Sequence, residues 1–179
     1  AVNPISITND YNNLLPMLHL KWSVNDKFNL RAAYTHTFSR ANFSDLNPGT
    51  NMDQTQNPVT ITRGNPYLKP TKAVNIDIMG EYYLPNLGII SGGVFYKDIQ
   101  DVIFSNRAYS TIDNVNYLIT EATNISNAKL SGLEIGFNKR FTNLPGILGG
   151  LGLEANYTYI QSEAFVPVLG STKLDKTEL

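Results

Sequence analysis

Apolar and polar residues alternate with a period of two along most regular stretches of this chain. In residues 17–24, for example, Leu18, Leu20 and Trp22 are separated by polar residues. A period of two places successive side chains on opposite faces of a strand, whereas a helix repeats its face every three to four residues. No helical pattern of useful length competes with it. The alternation predicts an all-β fold, an antiparallel up-and-down meander of about six strands.

The predicted strands group into hairpins at about 16–40, 73–103 and 128–162, each closed by a short turn. In the return strand of the second hairpin, Gly92 and Gly93 obscure the alternation, and we expect Ile90, Val94 and Tyr96 to share one face. The remaining segments, about 41–72, 104–127 and 163–179, are polar and are predicted as long loops. Short turns at one end and long loops at the other are typical of outer-membrane barrels, in which the long loops are extracellular.

Composition limits the classes of function. Lys plus Arg number 14 and Asp plus Glu 15, so the net charge of -1 provides no basic footprint for nucleic acid. Only 16% of residues are charged, which is low for a soluble domain, and no stretch approaches the ~18 continuous apolar residues of a membrane-spanning helix. The strands of a membrane β-barrel are only about half apolar, so this composition is compatible with a membrane β-barrel. A soluble β-sandwich, with the aromatic residues in its core, is the alternative.

Catalytic chemistry has little support in the sequence. The chain has no cysteine, no Gly-x-Ser-x-Gly elbow and no paired-histidine metal motif. We therefore expect a protein that is not an enzyme, with no catalytic residue, no metal site and no cofactor. His19 and His36 are interpreted as polar members of strands.

The residues around the first long loop carry a family resemblance. The stretch from Tyr34 to Pro48, which reads YTHTFSRANFSDLNP, resembles a strand end in the barrel of TonB-dependent outer-membrane receptors, with Ala41 where that family usually has proline. Gly64 to Pro70, which reads GNPYLKP, is similar to the Gly-Asn-Pro-x-Leu-Lys-Pro box that precedes the family's next strand. Three further segments follow in the family's order: Glu81-Tyr82-Tyr83, Gly93 to Lys97, and Leu130 to Glu134. The resemblance covers roughly Leu15 to Gln161.

The resemblance implies a barrel of about 22 strands in the bacterial outer membrane, filled by a plug domain, which imports a scarce ligand with energy supplied through TonB. The chain is then expected to be a fragment of a longer receptor, cut in extracellular loops at both ends. Its partners would be the plug domain, the remaining barrel strands, TonB through the missing N-terminal part, and outer-membrane lipid. The ligand would be an iron–siderophore or haem complex, or an oligosaccharide. The alternatives are a small complete outer-membrane barrel or adhesin, and a secreted β-sandwich, either a hydrolase or a carbohydrate-binding protein.

Ligand contacts in such a receptor are expected from the loops and the upper lumen. The candidate side chains share the ability to hydrogen-bond or stack on a polar ligand, and they are Arg40, Asn42, Asp45, Arg63, Asn65, Tyr67, Arg107 and Tyr109. For Arg40, Asn65 and Pro66, the favoured alternative is that they fix loop conformation and strand entry. A second polar set is expected to line the lumen and pack against the plug: Arg31, Asp77, Glu81, Glu134, Asn138, Glu154 and Asn156.

Overall fold

The computed structural model describes residues 7–167 and 174–177, which form a nearly all-β sheet. The described strands are β1 (Met17–Asn25), β2 (Phe28–Ser39), β3 (Thr50–Asp53), β4 (Val59–Arg63), β5 (Thr71–Leu84), β6 (Gly88–Ile112), β7 (Val115–Arg140), β8 (Gly152–Pro167) and β9 (Leu174–Thr177). A one-turn helix, α1 (Phe43–Leu46), follows β2, and a 3₁₀ turn covers Gly146–Leu148. No helix in the described part of the chain is both long and apolar enough to cross a membrane.

The long strands form the predicted meander. β1 pairs with β2, β2 with β5, β5 with β6, β6 with β7 and β7 with β8, each time antiparallel. The fold class is therefore confirmed, and the three predicted hairpins correspond to β1–β2, β5–β6 and β7–β8.

The strand register collects the apolar side chains on one face. Two of the rows that run across the six strands are Leu20, Ala32, Ile78, Val94, Leu133 and Tyr159, and Trp22, Leu30, Gly80, Gly92, Ile135 and Tyr157. The expected phase of β6 is confirmed, because Ile90, Val94 and Tyr96 pair with Tyr82, Ile78 and Ile76.

This apolar face is uncovered in the described residues. Ile135 at its centre is 51% exposed, and the buried apolar residues number only Leu68, Ile125, Ala128 and Ala164. The described strands make one sheet without a second layer packed against it. The β-sandwich alternative is therefore wrong, since a sandwich buries its apolar face between two sheets.

The opposite face is polar and holds the set expected to line the lumen. Arg31 and Glu81 form an ion pair on it, with 3.1 Å between Nε and Oε1. Tyr83 donates its hydroxyl to the second oxygen of Glu81 at 3.1 Å. Asn75 is buried there and donates to the hydroxyls of Thr35 and Thr37 at 3.2 and 3.3 Å. The sheet therefore has one apolar face and an opposite face on which β2 and β5 carry hydrogen-bonded polar side chains.

The second long connection differs from the expected loop at 104–127. There β6 and β7 continue as one hairpin whose turn is Asp113-Asn114. Residues 104–127 contain neither proline nor glycine, so nothing interrupts the ladder. Asp113 and Asn114 have φ of 50° and 63°, a left-handed conformation that Asp and Asn tolerate and that suits a tight hairpin turn. Polar composition had suggested a loop, but it does not prevent strand pairing.

The other two connections also contain regular structure. The first, expected as a loop at 41–72, contains α1, β3 and β4, and β4 pairs in parallel with β7. In the third, expected at 163–179, β8 runs on to Pro167 and pairs with β9. Residues 168–173 and 178–179 of that expected loop lie outside the described residues.

Candidate functional site

The first connection and the extended β6–β7 hairpin enclose an open concavity of about 890 Å³. It forms because β4 reaches the outer edge of β7, where Val59–Arg63 pair with residues 117–121. The wall on one side is the α1 segment and the β3–β4 hairpin, and on the other it is the upper part of β6 and β7. Its lining residues include Ser39, Arg40, Asn42, Asp45, Asn51, Thr62, Arg63, Thr71, Ser105, Thr120 and Glu121.

The concavity lies at the end of the polar face. Ser39 and Thr71 are directly paired, and both belong by strand alternation to the side that carries Arg31 and Glu81. Thr71 accepts the backbone N–H of Ile103 at 3.3 Å and donates to the carbonyl of Asp101 at 3.0 Å, which ties β5 to β6 below the concavity. The polar side of the sheet and the concavity therefore form one continuous polar surface.

The structure brings some of the predicted ligand residues together and separates others. Arg40, Asn42, Asp45 and Arg63 line the concavity. Asn65 lies just behind its wall, bonded to Ala122. Tyr67, Arg107 and Tyr109 are exposed outside the lining, with Tyr67 70% and Tyr109 58% accessible.

Arg63 is fixed by a residue that the sequence did not suggest. Its Nε lies 2.6 Å from Oε2 of Glu121, and the two residues are direct partners in the parallel β4–β7 ladder. About half of the Arg63 side chain remains exposed, against 24% for Glu121. No periodic signal could have found Glu121, because the pairing of β4 with β7 crosses two intervening long strands.

The α1 segment contributes Asn42 and Asp45, which hold one another. The Asn42 amide donates to Oδ2 of Asp45 at 3.2 Å, and the Asp45 backbone N–H donates to the Asn42 carbonyl at 3.1 Å. Arg40 precedes them, and its guanidinium carbon lies 5.8 Å from the centroid of the Phe38 ring, within cation–π range. Each charged side chain of this wall therefore has a local partner that orients it.

Asn65 has a structural part in this arrangement. Its backbone N–H donates to the Asp45 carbonyl at 2.6 Å, its amide donates to the Ala122 carbonyl at 3.2 Å, and its Oδ1 accepts from the backbone of Tyr67 at 3.0 Å. These bonds join α1, the Gly64–Pro70 segment and β7. Gly64 is also required, because a Cβ at that position would overlap the carbonyl oxygen of Asn47.

Asn124 is a second residue that the sequence did not suggest. Its Oδ1 accepts from the Lys69 backbone at 2.8 Å, and its amide donates to the carbonyls of Lys69 and Asp101 at 2.9 and 2.8 Å. It therefore fastens the end of the Gly64–Pro70 segment to the β6–β7 hairpin. Leu68, in the middle of that segment, is only 2% exposed.

Asp53 marks the turn between β3 and β4. The Thr55 hydroxyl donates to Oδ1 of Asp53 at 2.6 Å, and the Thr55 backbone N–H donates to the same oxygen at 3.0 Å. These bonds, the hydroxyl's first, hold the pKa of Asp53 below its ordinary value. Across residues 7–167 and 174–177, no three His, Asp or Glu side chains are grouped so as to hold a metal ion.

An amphipathic antiparallel sheet with short turns at one end and long connections at the other belongs to the class of outer-membrane β-barrel walls. The family model for the β-barrel of TonB-dependent receptor-like proteins matches residues 2–178, so this chain belongs to that family. Comparison with curated protein sequences gives no significant match.

Solved structures of siderophore receptors share the fold. A variant of the ferric enterobactin receptor of Pseudomonas aeruginosa has a TM-score of 0.65 and 23% identity, over 83% of this chain and 22% of that one. The siderophore receptor PirA of the same organism gives 0.66 and 19%, over 84% and 30%. PirA of Acinetobacter baumannii gives 0.59 and 20%, over 83% and 23%. This chain therefore spans less than a third of the length of each.

Proposed function

We propose that this chain forms part of the wall and the ligand-capturing loops of an outer-membrane TonB-dependent transporter for ferric siderophores. The observation that carries the proposal is the two-sided sheet: an exposed apolar face on one side, and on the other a polar face that continues into the concavity. In a bilayer the apolar face would contact lipid and the polar face would line the lumen.

The proposed assembly includes further strands and a plug domain. Lipid supplies no hydrogen-bond partners, so every backbone group of a membrane-spanning strand has to be paired within the protein. In the described residues β1 pairs only with β2, and β8 pairs with β9 only over Ala164–Pro167. The remaining barrel strands of the receptor would cover both edges, and the plug would cover the polar face.

Ligand capture is assigned to the concavity. Arg40, Asn42, Asp45 and Arg63 place amide, carboxylate and guanidinium groups on its wall, which suits a polar ligand. Between the two expected ligand classes, the siderophore class is favoured because the solved structures that share the fold are named siderophore receptors. The experiment below would also reveal an oligosaccharide ligand.

The test is uptake by the full-length receptor in cells that lack other iron receptors. We expect radioactive ferric siderophore to accumulate under iron limitation, and accumulation to stop when TonB is absent. Arg40→Ala should weaken binding by about tenfold, because it removes a charged group from the concavity wall. Arg107→Ala, which removes the same kind of side chain outside the lining, is the matched control and should leave binding within about twofold.

Two results would overturn the proposal. One is growth on an oligosaccharide, rather than on ferric chelates, as the phenotype that depends on the receptor. The other is iron uptake that is unaffected by the loss of TonB, as expected for a small complete barrel.

A further inference from the structure

The charges that line the concavity cancel. Its charged lining residues within the described chain are two cations, Arg40 and Arg63, and two anions, Asp45 and Glu121. The whole chain has a net charge of -1, so it does not add a positive field around the concavity. This part of the receptor therefore offers no excess of positive charge to a ligand.

The opposite charges also have close contacts, so the balance depends on their positions as well as on their number. Arg63 is bound by the carboxylate of Glu121 at 2.6 Å, so its charge is already compensated at the wall. Asp45 receives hydrogen bonds from the Asn42 amide at 3.2 Å and the Ser44 hydroxyl at 3.5 Å. These contacts keep both signs of charge in place around one space.

The other lining side chains are mostly neutral hydrogen-bonding groups. They include the hydroxyls of Ser39, Thr50, Thr62, Thr71, Ser105 and Thr120, and the amides of Asn42, Asn47 and Asn51. No lining residue that the structure describes is aromatic, so stacking on a planar ligand group has no platform here. The concavity is therefore suited to hydrogen bonding with a polar ligand of low net charge.

From this balance we infer that the concavity takes a ferric chelate of near-zero net charge, of the tris-hydroxamate type, rather than a polyanionic tris-catecholate. Singly charged hydroxamates cancel the ferric charge, whereas doubly charged catecholates leave the chelate strongly negative. Moving a polyanion next to Asp45 and Glu121 adds repulsion that the two arginines only offset. The inference rests on the proposed function and names its substrate class.

Glu121 sets this preference, because it neutralises Arg63. Replacing it with Gln keeps an oxygen that can accept from Nε of Arg63 but removes one negative charge, which leaves the concavity net positive. Glu121→Gln should raise the affinity for a ferric tris-catecholate by about tenfold and make that binding salt-dependent. Affinity for a ferric tris-hydroxamate should change much less than affinity for the tris-catecholate, because a chelate of near-zero net charge gains little from the added positive charge.

The experiment uses the purified full-length receptor and isothermal titration with each ferric chelate at low and high salt. Asp113→Asn is the matched control, since it removes one negative charge from the same β6–β7 hairpin outside the concavity lining. Two results together support the inference. The unmodified receptor binds the tris-hydroxamate more tightly than the tris-catecholate, and only Glu121→Gln gains affinity for the tris-catecholate.

Three other outcomes would contradict either the charge inference or the proposed function. Tighter, salt-dependent binding of the tris-catecholate by the unmodified receptor overturns the charge inference and leaves the proposed siderophore function standing. An equal gain in Asp113→Asn and Glu121→Gln also overturns it, because the effect would then come from overall charge. Binding of an oligosaccharide with no binding of either chelate overturns the proposed function itself.

Discussion

The six-strand sheet and the first long connection are held in place in different ways. In the sheet, Phe28–Ser39 of β2 pair residue by residue with 71–82 of β5, and the same kind of ladder repeats across the other strands. In the connection, residues 64–70 are held by a few specific contacts that involve Gly64, Asn65 and Asn124. One region depends on a repeated backbone pattern, and the other depends on individual side chains.

The two regions should therefore respond differently to substitution. In the sheet, the face that a residue occupies decides the effect, because the backbone supplies the pairing and the side chain needs only to suit lipid or water. In the connection, the identity of a residue decides the effect, because one amide or one missing Cβ makes a contact that no neighbour can replace.

The largest expected effect separates the two faces of the sheet. Ile135→Arg should destabilise the full-length barrel in lipid by about 2–4 kcal/mol, because the charge would enter the apolar face near its centre. Unfolding by urea in lipid vesicles measures the free energy. Asn156→Arg, on the neighbouring strand and the opposite face, is the matched control and should cost far less. Equal costs at the two positions would contradict the assignment of the faces.

The alternation made the sheet predictable from sequence, because it depends only on residue class. The observed pairing of Ile76 with Tyr96 and of Ile78 with Val94 agrees with the predicted common face of Val94 and Tyr96. Its limit is visible at Asn75, which alternation presents as one more polar residue of the lumen side. The structure buries Asn75 and bonds it to Thr35 and Thr37, so a large substitution there would be costly.

The site could be predicted only in part. Arg40, Asn42, Asp45 and Arg63 were predictable from the sequence, because polar residues in long connections are ligand candidates in general. Glu121 and Asn124 were not, because both act through contacts between segments more than 50 residues apart in sequence. The interpretation of Asn65 as a residue that fixes loop conformation agrees with its three hydrogen bonds.

The next effect tests the dependence of the connection on single residues. Gly64→Ala should cost about 1–3 kcal/mol in docking of residues 41–72, because the new Cβ would overlap the Asn47 carbonyl and the backbone would have to shift. Hydrogen exchange should speed up across the connection while the six long strands keep their protection.

Gly49→Ala is the control for that variant. A Cβ there would meet only the Asn47 side chain, at 3.2 Å, and that side chain can move. Faster exchange in both variants, or in neither, would contradict the role assigned to Gly64.

A smaller effect is expected at Asn124. Asn124→Ala removes the three hydrogen bonds that reach Lys69 and Asp101, and we expect a loss of about 1–2 kcal/mol, because the two carbonyls and the Lys69 N–H can turn partly to water. The Lys69 amide should exchange faster, and the β3–β4 hairpin should loosen with it. Asn127→Ala, at an exposed position of the same strand, should change neither. Slow exchange at Lys69 in Asn124→Ala would show that the segment is held elsewhere.

The smallest expected effect concerns the turn between β3 and β4 and its dependence on pH. The pKa of Asp53 is lowered chiefly by the Thr55 hydroxyl, so the ionised carboxylate stabilises this turn above the ordinary pKa of an aspartate. That contribution is lost as the pH falls through the lowered pKa.

Thr55→Val removes the hydroxyl and leaves the backbone bond, so the pKa of Asp53 should rise part of the way to its ordinary value. Titration by carbon NMR of the labelled receptor, assigned with Asp53→Asn, measures it, and Thr55→Ser should keep the low pKa. A pKa that is the same in the valine and serine variants would assign the shift to the other hydrogen bonds of Asp53, from the Thr55 backbone N–H and the Gln56 side chain.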